Sequence, residues 1–195
     1  MMKKIITIIF CITTLTSCFY TAMYHLSEND KKWVNMYSKD DVFLFHYGKN
    51  TDTLLIDQKN IKDRKSPFMQ SEASDIYNGT GSLYFTIKHN GTTILGRLVI
   101  VKKDIDVLSI SLRVGERKYS SPNANNIILS SLSIEGSDFF DVIFIDDNNS
   151  EILLANEWTP QSFVWSKSKG LLQYKYQTGE TYSFYKKLTN KTEKK

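Results

Sequence analysis

From Asp40 to Leu188 apolar and polar residues alternate along short runs, the two-residue period of a half-buried strand. Gly, Asn, Asp and Ser punctuate the runs. "DVFLFHY" (41–47) reads as a strand, Gly48-Lys49-Asn50 as a turn and "DTLLID" (52–57) as the returning strand. The clearest hairpin is "SLYFTIKH" (82–89), Asn90-Gly91, "TTILGRLVIVK" (92–102). Asn-Gly tolerates the positive φ that both central positions of a type I′ turn require. In 105–114, Leu108, Ile110, Leu112 and Val114 share one face, with Ser109, Ser111 and Arg113 on the other. That is a sheet with one solvated side. Segments 126–134, 139–146, 151–158, 162–167, 171–176 and 181–188 continue the pattern, whereas 58–81 is polar and irregular and is expected as a surface loop with a helical turn. Nearly all connections are too short for a parallel crossover. The expected fold is all-β: an antiparallel barrel or two-sheet sandwich of about ten strands. Ahead of it the period changes. Ser27 and Asp30 have capping-box spacing, and Trp33, Met36 and Tyr37 follow at i, i+3 and i+4. This predicts one short N-terminal helix over about 28–38, with Trp33 packing it on the core.

The first residues follow a different logic. Lys3 and Lys4 precede Ile5 to Leu15, "IITIIFCITTL". A spanning helix needs roughly 20 apolar residues, whereas about eleven suits the apolar region of a secretory signal. Leu15-Thr16-Ser17-Cys18 then resembles a bacterial lipobox. That resemblance implies cleavage before Cys18, diacylglycerol on its thiol and a fatty acyl chain, such as palmitate, on its amino group. An ordinary secretory signal with an incidental cysteine and an uncleaved anchor helix are the alternatives. Residues 1–17 are thus expected to be a cleaved signal peptide and 18–27 a tether. A single β domain over 28–188 and a basic tail over 189–195 follow. Two or more acyl chains give stable membrane attachment. Cys11 lies in the removed part, so no internal disulfide can form in the mature chain.

Composition narrows the chemistry. Of 25 basic residues, loss of Lys3 and Lys4 leaves 23 against 21 acidic ones. The charges are interspersed, without the basic stripe that nucleic acid binding needs. His25, His46 and His89 have no second histidine or carboxylate at ligand spacing, and zinc is not expected. The turn carrying Asp146, Asp147, Asn149 and Glu151 lacks the glycine and reach of a calcium loop. No Gly-x-Ser-x-Gly elbow and no phosphate-cradling glycine motif occurs. Asp57, Asp63 and Asp75 read as solvated acids around the long loop. No catalytic residue, metal or cofactor is therefore assigned. Aromatic residues are plentiful, with 11 Tyr and 11 Phe. Trp158, Trp165, Tyr174 and Tyr176 crowd the last hairpins. They would form either a platform for a glycan or peptide or rings paired across strands in the core.

Two terminal stretches carry a wider resemblance. "ENDKKWVNMYSKDDVFLFHYGKNTDTLLI" and "FVWSKSKGLLQYKYQTGETYSFYKK" resemble the opening and closing segments of small lipoproteins from Bacteroidota. The shared features are a Trp-bearing helix before an acid-led strand, and a Trp-Ser-Lys turn before a Gly-Glu hairpin. The resemblance implies a setting, the cell envelope, and no catalytic residues. Surface-exported members carry acids just after the lipidated cysteine. Here Phe19-Tyr20-Thr21-Ala22-Met23 follows, which favours the outer membrane facing the periplasm. In that setting Asp52-Thr53-Leu54 resembles an O-glycosylation acceptor, or is simply the start of a strand. The expected function is a non-enzymatic, lipid-anchored binding or accessory module with an envelope protein or glycan as partner. The alternatives are a lipocalin-like carrier of an apolar ligand and an envelope hydrolase with an unrecognised site. Mass spectrometry of the native protein is expected to find a chain that starts at an acylated Cys18. A start at Met1, or a bare thiol at Cys18, would overturn the anchor.

Overall fold

The computed structural model describes residues 22–63, 76–154 and 156–188. Cys18, the lipobox and the basic tail lie outside the described residues. The chain begins with β1 (Ala22–Tyr24) and α1 (Glu28–Asn35), then β2 (Val42–Tyr47) and β3 (Asn50–Lys62). β4 (Ile76–Asn78), β5 (Thr80–His89), β6 (Thr92–Asp104), β7 (Val107–Val114) and β8 (Arg117–Ser121) follow. The remainder is β9 (Ser130–Ile134), β10 (Ser137–Ile145), β11 (Glu151–Ile152), β12 (Ser162–Ser166), β13 (Gly170–Lys175) and β14 (Thr181–Leu188).

Twelve strands form one continuous sheet in the order β11-β8-β7-β6-β5-β3-β2-β14-β13-β12-β10-β9. Every neighbouring pair in it is antiparallel. Its end strands, β11 and β9, do not pair with each other among the described residues, so the sheet is not a closed barrel. Instead it folds over on itself. Phe85 of β5 meets Trp165 of β12 with ring centroids 6.0 Å apart. Across the same gap the Tyr174 hydroxyl of β13 donates to Asp52 of β3 at 2.6 Å. The result is a sandwich-like all-β fold with two layers made from one sheet. The core lies between them, filled by Phe45, Leu54, Phe85, Leu98, Ile110, Phe163, Trp165 and Tyr182 among others. The alternation that predicted a one-sided sheet is present in β7, where Leu108, Ile110, Leu112 and Val114 are buried. Asn90 and Gly91 both have positive φ, as the hairpin turn demands.

Helix α1 plugs one end of the sandwich. The Ser27 side chain accepts from the Asp30 backbone, and Asp30 accepts from the Ser27 backbone, closing the capping box. Trp33 and Val34 are buried, and Asp30 pairs with Lys102 of β6 at 3.0 Å. The helix stops at Met36, but the chain beyond it stays anchored. Tyr37 is buried, and its hydroxyl accepts from the Leu171 backbone N–H at 2.8 Å.

Several boundaries differ from the sequence reading. The stretch expected as a tether is taken into the fold from Ala22: β1 pairs in parallel with β4, and Leu26 is buried. β3 runs on to Lys62 inside the expected loop 58–81, because Gln58–Lys62 still pairs with Tyr84–Thr80. β8 was not expected, since its inward residue is Arg117 and the run "RKYSS" shows no apolar alternation. Arg117 is fully buried and donates to the Pro160 carbonyl at 2.8 Å and to Asp147 at 2.6 Å. The expected strand 151–158 shrinks to two residues. Asn156 caps its own turn by accepting from Trp158 N–H, and Leu153 and Leu154 stay exposed.

Gly170 opens β13 at φ +84°, and a Cβ there would overlap the Tyr37 hydroxyl. Positive φ costs a non-glycine residue about 1–2 kcal/mol, and overpacking a core adds about 1–3 kcal/mol. Gly170→Ala is therefore expected to lower unfolding free energy by roughly 2–5 kcal/mol in urea titration. Gly48→Ala, with φ +57° in open space, should lose only the smaller backbone part. Equal losses would show that Tyr37 does not hold this corner.

Candidate functional site

The sheet is split at one end. β14 pairs with β13 only from Thr181 to Ser183. It then continues to Leu188 against β2 alone. On the far side, β10 pairs with β12 only from Val142 to Ile145. Its first residues, from Ser137, are held by β9 alone. Three irregularities surround the gap: at Phe184/Lys186 in β14, Phe139/Val142 in β10 and Val164/Trp165 between β12 and β13. Such bulges bend a strand and end its pairing. A cleft of about 830 Å³ opens between the separated strands. Met36, Phe43 and Phe184 form its floor, and Phe139 and Phe140 one wall. Lys169, from the β12–β13 turn, and Lys187 lie along the rim. Phe140 is 74% exposed, unusual for a ring of this size on a folded surface.

Three of the four charged residues lining the cleft are tied down. Lys187 pairs with Asp41 at 2.6 Å, and its ammonium lies 5.5 Å from the centre of the Phe43 ring. Asp141 accepts from the Ser166 hydroxyl at 2.6 Å and from the Ser168 N–H at 2.7 Å. Burial pushes the Asp141 carboxyl upward, but these hydrogen bonds outweigh it and hold it below the usual carboxylate range. It is thus a fixed anion near neutral pH, not a proton donor. Asp138 accepts from Ser133 across its own hairpin. A second groove, of about 350 Å³, lies on the outer face of β10, β12 and β13 between Phe144, Gln161, Gln173 and Lys175.

The other end of the sandwich closes on a buried polar cluster. Asp52 accepts from Tyr174 at 2.6 Å and lies 2.9 Å from Nδ1 of His89. Tyr176, Tyr182 and Trp158 surround the imidazole, the Tyr176 ring at 4.5 Å. Asp52 is 1% and His89 3% exposed. Burial raises the Asp52 carboxyl above its ordinary range against the opposing hydrogen bonds of Tyr174 and His89. Desolvation likewise raises the Tyr174 hydroxyl. Nothing in the sequence marks this cluster, because 37 positions separate Asp52 from His89 and 122 separate it from Tyr174.

The structure gathers three of the four aromatic residues considered for a platform, Trp158, Tyr174 and Tyr176, around the Asp52–His89 cluster inside the fold. Trp165, Tyr174 and Tyr176 are buried in the core, and Trp158 is half-buried beside His89. Trp165 and Tyr174 face inward because β12 and β13 turn that side to the other layer, and only Trp158 keeps part of its ring exposed. The most exposed ring is instead Phe140, outside the segments that composition drew attention to, with Tyr47, Phe144 and Tyr185 less so. His25 lies 3.1 Å from Asp63, and His46 stacks on Tyr185 at 4.1 Å. The four oxygen-bearing residues of the 146–151 turn do not converge. Asp146 accepts from Asn148 N–H, Asn149 accepts from Asp146 N–H, Asp147 pairs with Arg117 and Glu151 with Lys118. No group of three or more potential metal ligands occurs among the described residues. Asp57 accepts from Thr86 at 2.7 Å, and Asp75 lies outside the described residues. Asp52 and Leu54 are buried within β3, so the Asp-Thr-Leu triplet is part of a central strand.

The molecule thus belongs to the class of unclosed antiparallel sheets folded into a sandwich, with an aromatic cleft where the sheet parts. No family model, no curated protein and no solved structure matches the chain.

A carboxyl whose folded pKa is raised stabilises fully below its unfolded value, and that stabilisation is lost as pH climbs through the folded one. Tyr174→Phe removes a donor to Asp52 and raises its pKa further. Urea denaturation should show a loss of about 1.5–3 kcal/mol. The gap from wild type should widen as pH rises from acid toward neutral. A gap independent of pH would remove Asp52 from this account.

Proposed function

We propose that this chain is a lipid-anchored protein of the cell envelope that acts by binding, as an accessory to a partner, and not by catalysis. The observation that carries the reading is the split in the sheet, an open cleft with a floor and a wall of aromatic rings. The groups best suited to acid–base chemistry, Asp52 and His89, are sealed in the core, where no substrate reaches them. Asp141, in the cleft, is held ionised by its serine partners. A carrier of the lipocalin kind would need an enclosed apolar cavity. Here the space between the layers is filled by side chains, and the largest cleft described opens to solvent.

The location rests on the resemblance of Leu15–Cys18 to a lipobox. No helix of the described residues is long and apolar enough to cross a membrane, so acylation of Cys18 is the attachment this reading requires. Ala22 already belongs to β1. Four residues reach at most about 14 Å, so the domain would sit close to the bilayer. The outer membrane facing the periplasm is the favoured site, and an envelope protein or a glycan the favoured partner.

A pull-down from envelope extract tests the function. The acylated protein, Cys18→Ala and Phe140→Ala are compared. Phe140 is so exposed that its truncation should leave the fold intact. A partner is expected with the native protein and at least several-fold less with Phe140→Ala. Recovery of no partner by the native protein and Cys18→Ala alike would sink the binding reading.

A further inference from the structure

We infer that the cleft takes an extended peptide segment of another protein, which pairs its main chain with the free edge of β14. This inference rests on the cleft being the binding site. The argument starts from hydrogen-bond accounting. Every backbone N–H and C=O needs a partner, and a strand satisfies half of them on each side. β2 takes up one side of β14 from Phe184 to Leu188. Among the described residues no strand takes the other side, since β13 has already left at Ser183. Opposite, β10 is held from Ser137 to Phe139 by β9 on one side only. Two strand edges therefore border one cleft.

Unprotected edges are templates for another strand, and folded proteins blunt them with lysines, bulges, inward charges, proline or a covering loop. β14 carries Lys186, Lys187 and the bulge at Phe184/Lys186, but no proline, and no other strand among the described residues covers its cleft side. Its Lys187 is turned onto the Phe43 ring and neutralised by Asp41. The floor beneath is apolar, with Met36, Phe43 and Phe184. A strand laid along β14 would point alternate side chains onto it, which is the division of labour in strand addition: backbone for affinity, alternate pockets for specificity.

The same features select among occupants. An acyl chain would match the rings but leave both edges without hydrogen bonds. The rim mixes Lys169 and Lys187 with Asp138 and Asp141, so it does not draw a strongly charged ligand of either sign. A segment of about five residues, apolar at alternate positions and without large net charge, satisfies edge, floor and rim together.

The test uses the full acylated chain in detergent and a library of random nonapeptides displayed on phage. Enriched sequences should carry apolar residues at alternate positions. The best is then synthesised in two backbone N-methylated forms, one methylated at odd and one at even positions. All N–H groups on one edge of a strand belong to alternate residues, so at least one form should bind tenfold or more weakly. Phe140→Ala should weaken the parent peptide several-fold, and Lys88→Ala, on the far side of the sheet, should not. Equal binding by parent and both N-methylated forms would overturn strand addition. So would an absence of enriched peptides with laurate or an oligosaccharide bound in a Phe140-dependent way. That last result would leave the cleft as a binding site and remove only the peptide. A dimer that Phe140→Ala dissolves, with no peptide bound, would assign the edge to a second copy and overturn the inference equally.

Discussion

Trp165 has no exposed surface, and its position explains the architecture. It touches Phe85 on the opposite layer and Tyr37 beyond the helix, at ring centroid separations of 6.0 and 6.1 Å. A twelve-stranded antiparallel sheet whose main apolar surface lies on one face must hide that face. With no second sheet of comparable size to cover it, it can only fold over itself. β5 then faces β12, and the strands between them, β3, β2, β14 and β13, must take up the bend. A hydrogen-bonded ladder resists such a bend unless extra residues relax it. Irregularities at Phe184/Lys186 and Val164/Trp165 fall in this region, and there β13 and β14 share only three paired positions. The cleft is thus a mechanical consequence of how the core closes.

Polar contacts hold the two ends of the folded sheet. At one end Asp30 and Lys102 tie α1 to β6, while Tyr37 takes the N–H of Leu171 where β13 begins. At the other, Asp52 of β3 collects Tyr174 of β13 and His89 of β5. Arg117 performs a similar service for the margin beyond β7, binding the 146–160 segment through Ser150, Asp147 and Pro160. Each is a buried polar group with partners, which is the condition for keeping it inside. None of them lies in the cleft. The contacts that hold the fold together are therefore separate from the cleft proposed to bind.

Regular strands with apolar alternation were legible because local chemistry decides them. β7 shows its buried face at every second residue, and Asn90-Gly91 marks the β5–β6 turn through positive φ. The capping box of Ser27 and Asp30 marks the start of α1 for the same reason. Strands that break the pattern were not legible. β8 points a guanidinium inward, and the far half of β3 is polar, so neither shows the alternation of a half-buried strand. The run from Glu151 to Trp158 misled in the opposite way: it is largely apolar, yet only Glu151 and Ile152 pair with β8, and Asn156 accepts from Trp158 N–H in a turn.

The chain alone, through the period of its apolar residues and its turn chemistry, determined that this is an antiparallel all-β protein with one capped helix. Those signals act between residues a few positions apart, so they survive in one dimension. Which faces meet was decided only in three. The burial of Trp165, Tyr174 and Tyr176, the joining of Asp52 to His89 and Tyr174, and the parting of β14 from β13 all depend on how the sheet folds over. The contacts that fold it link residues as distant in sequence as Tyr37 and Leu171, 134 positions apart, and no local pattern carries that information.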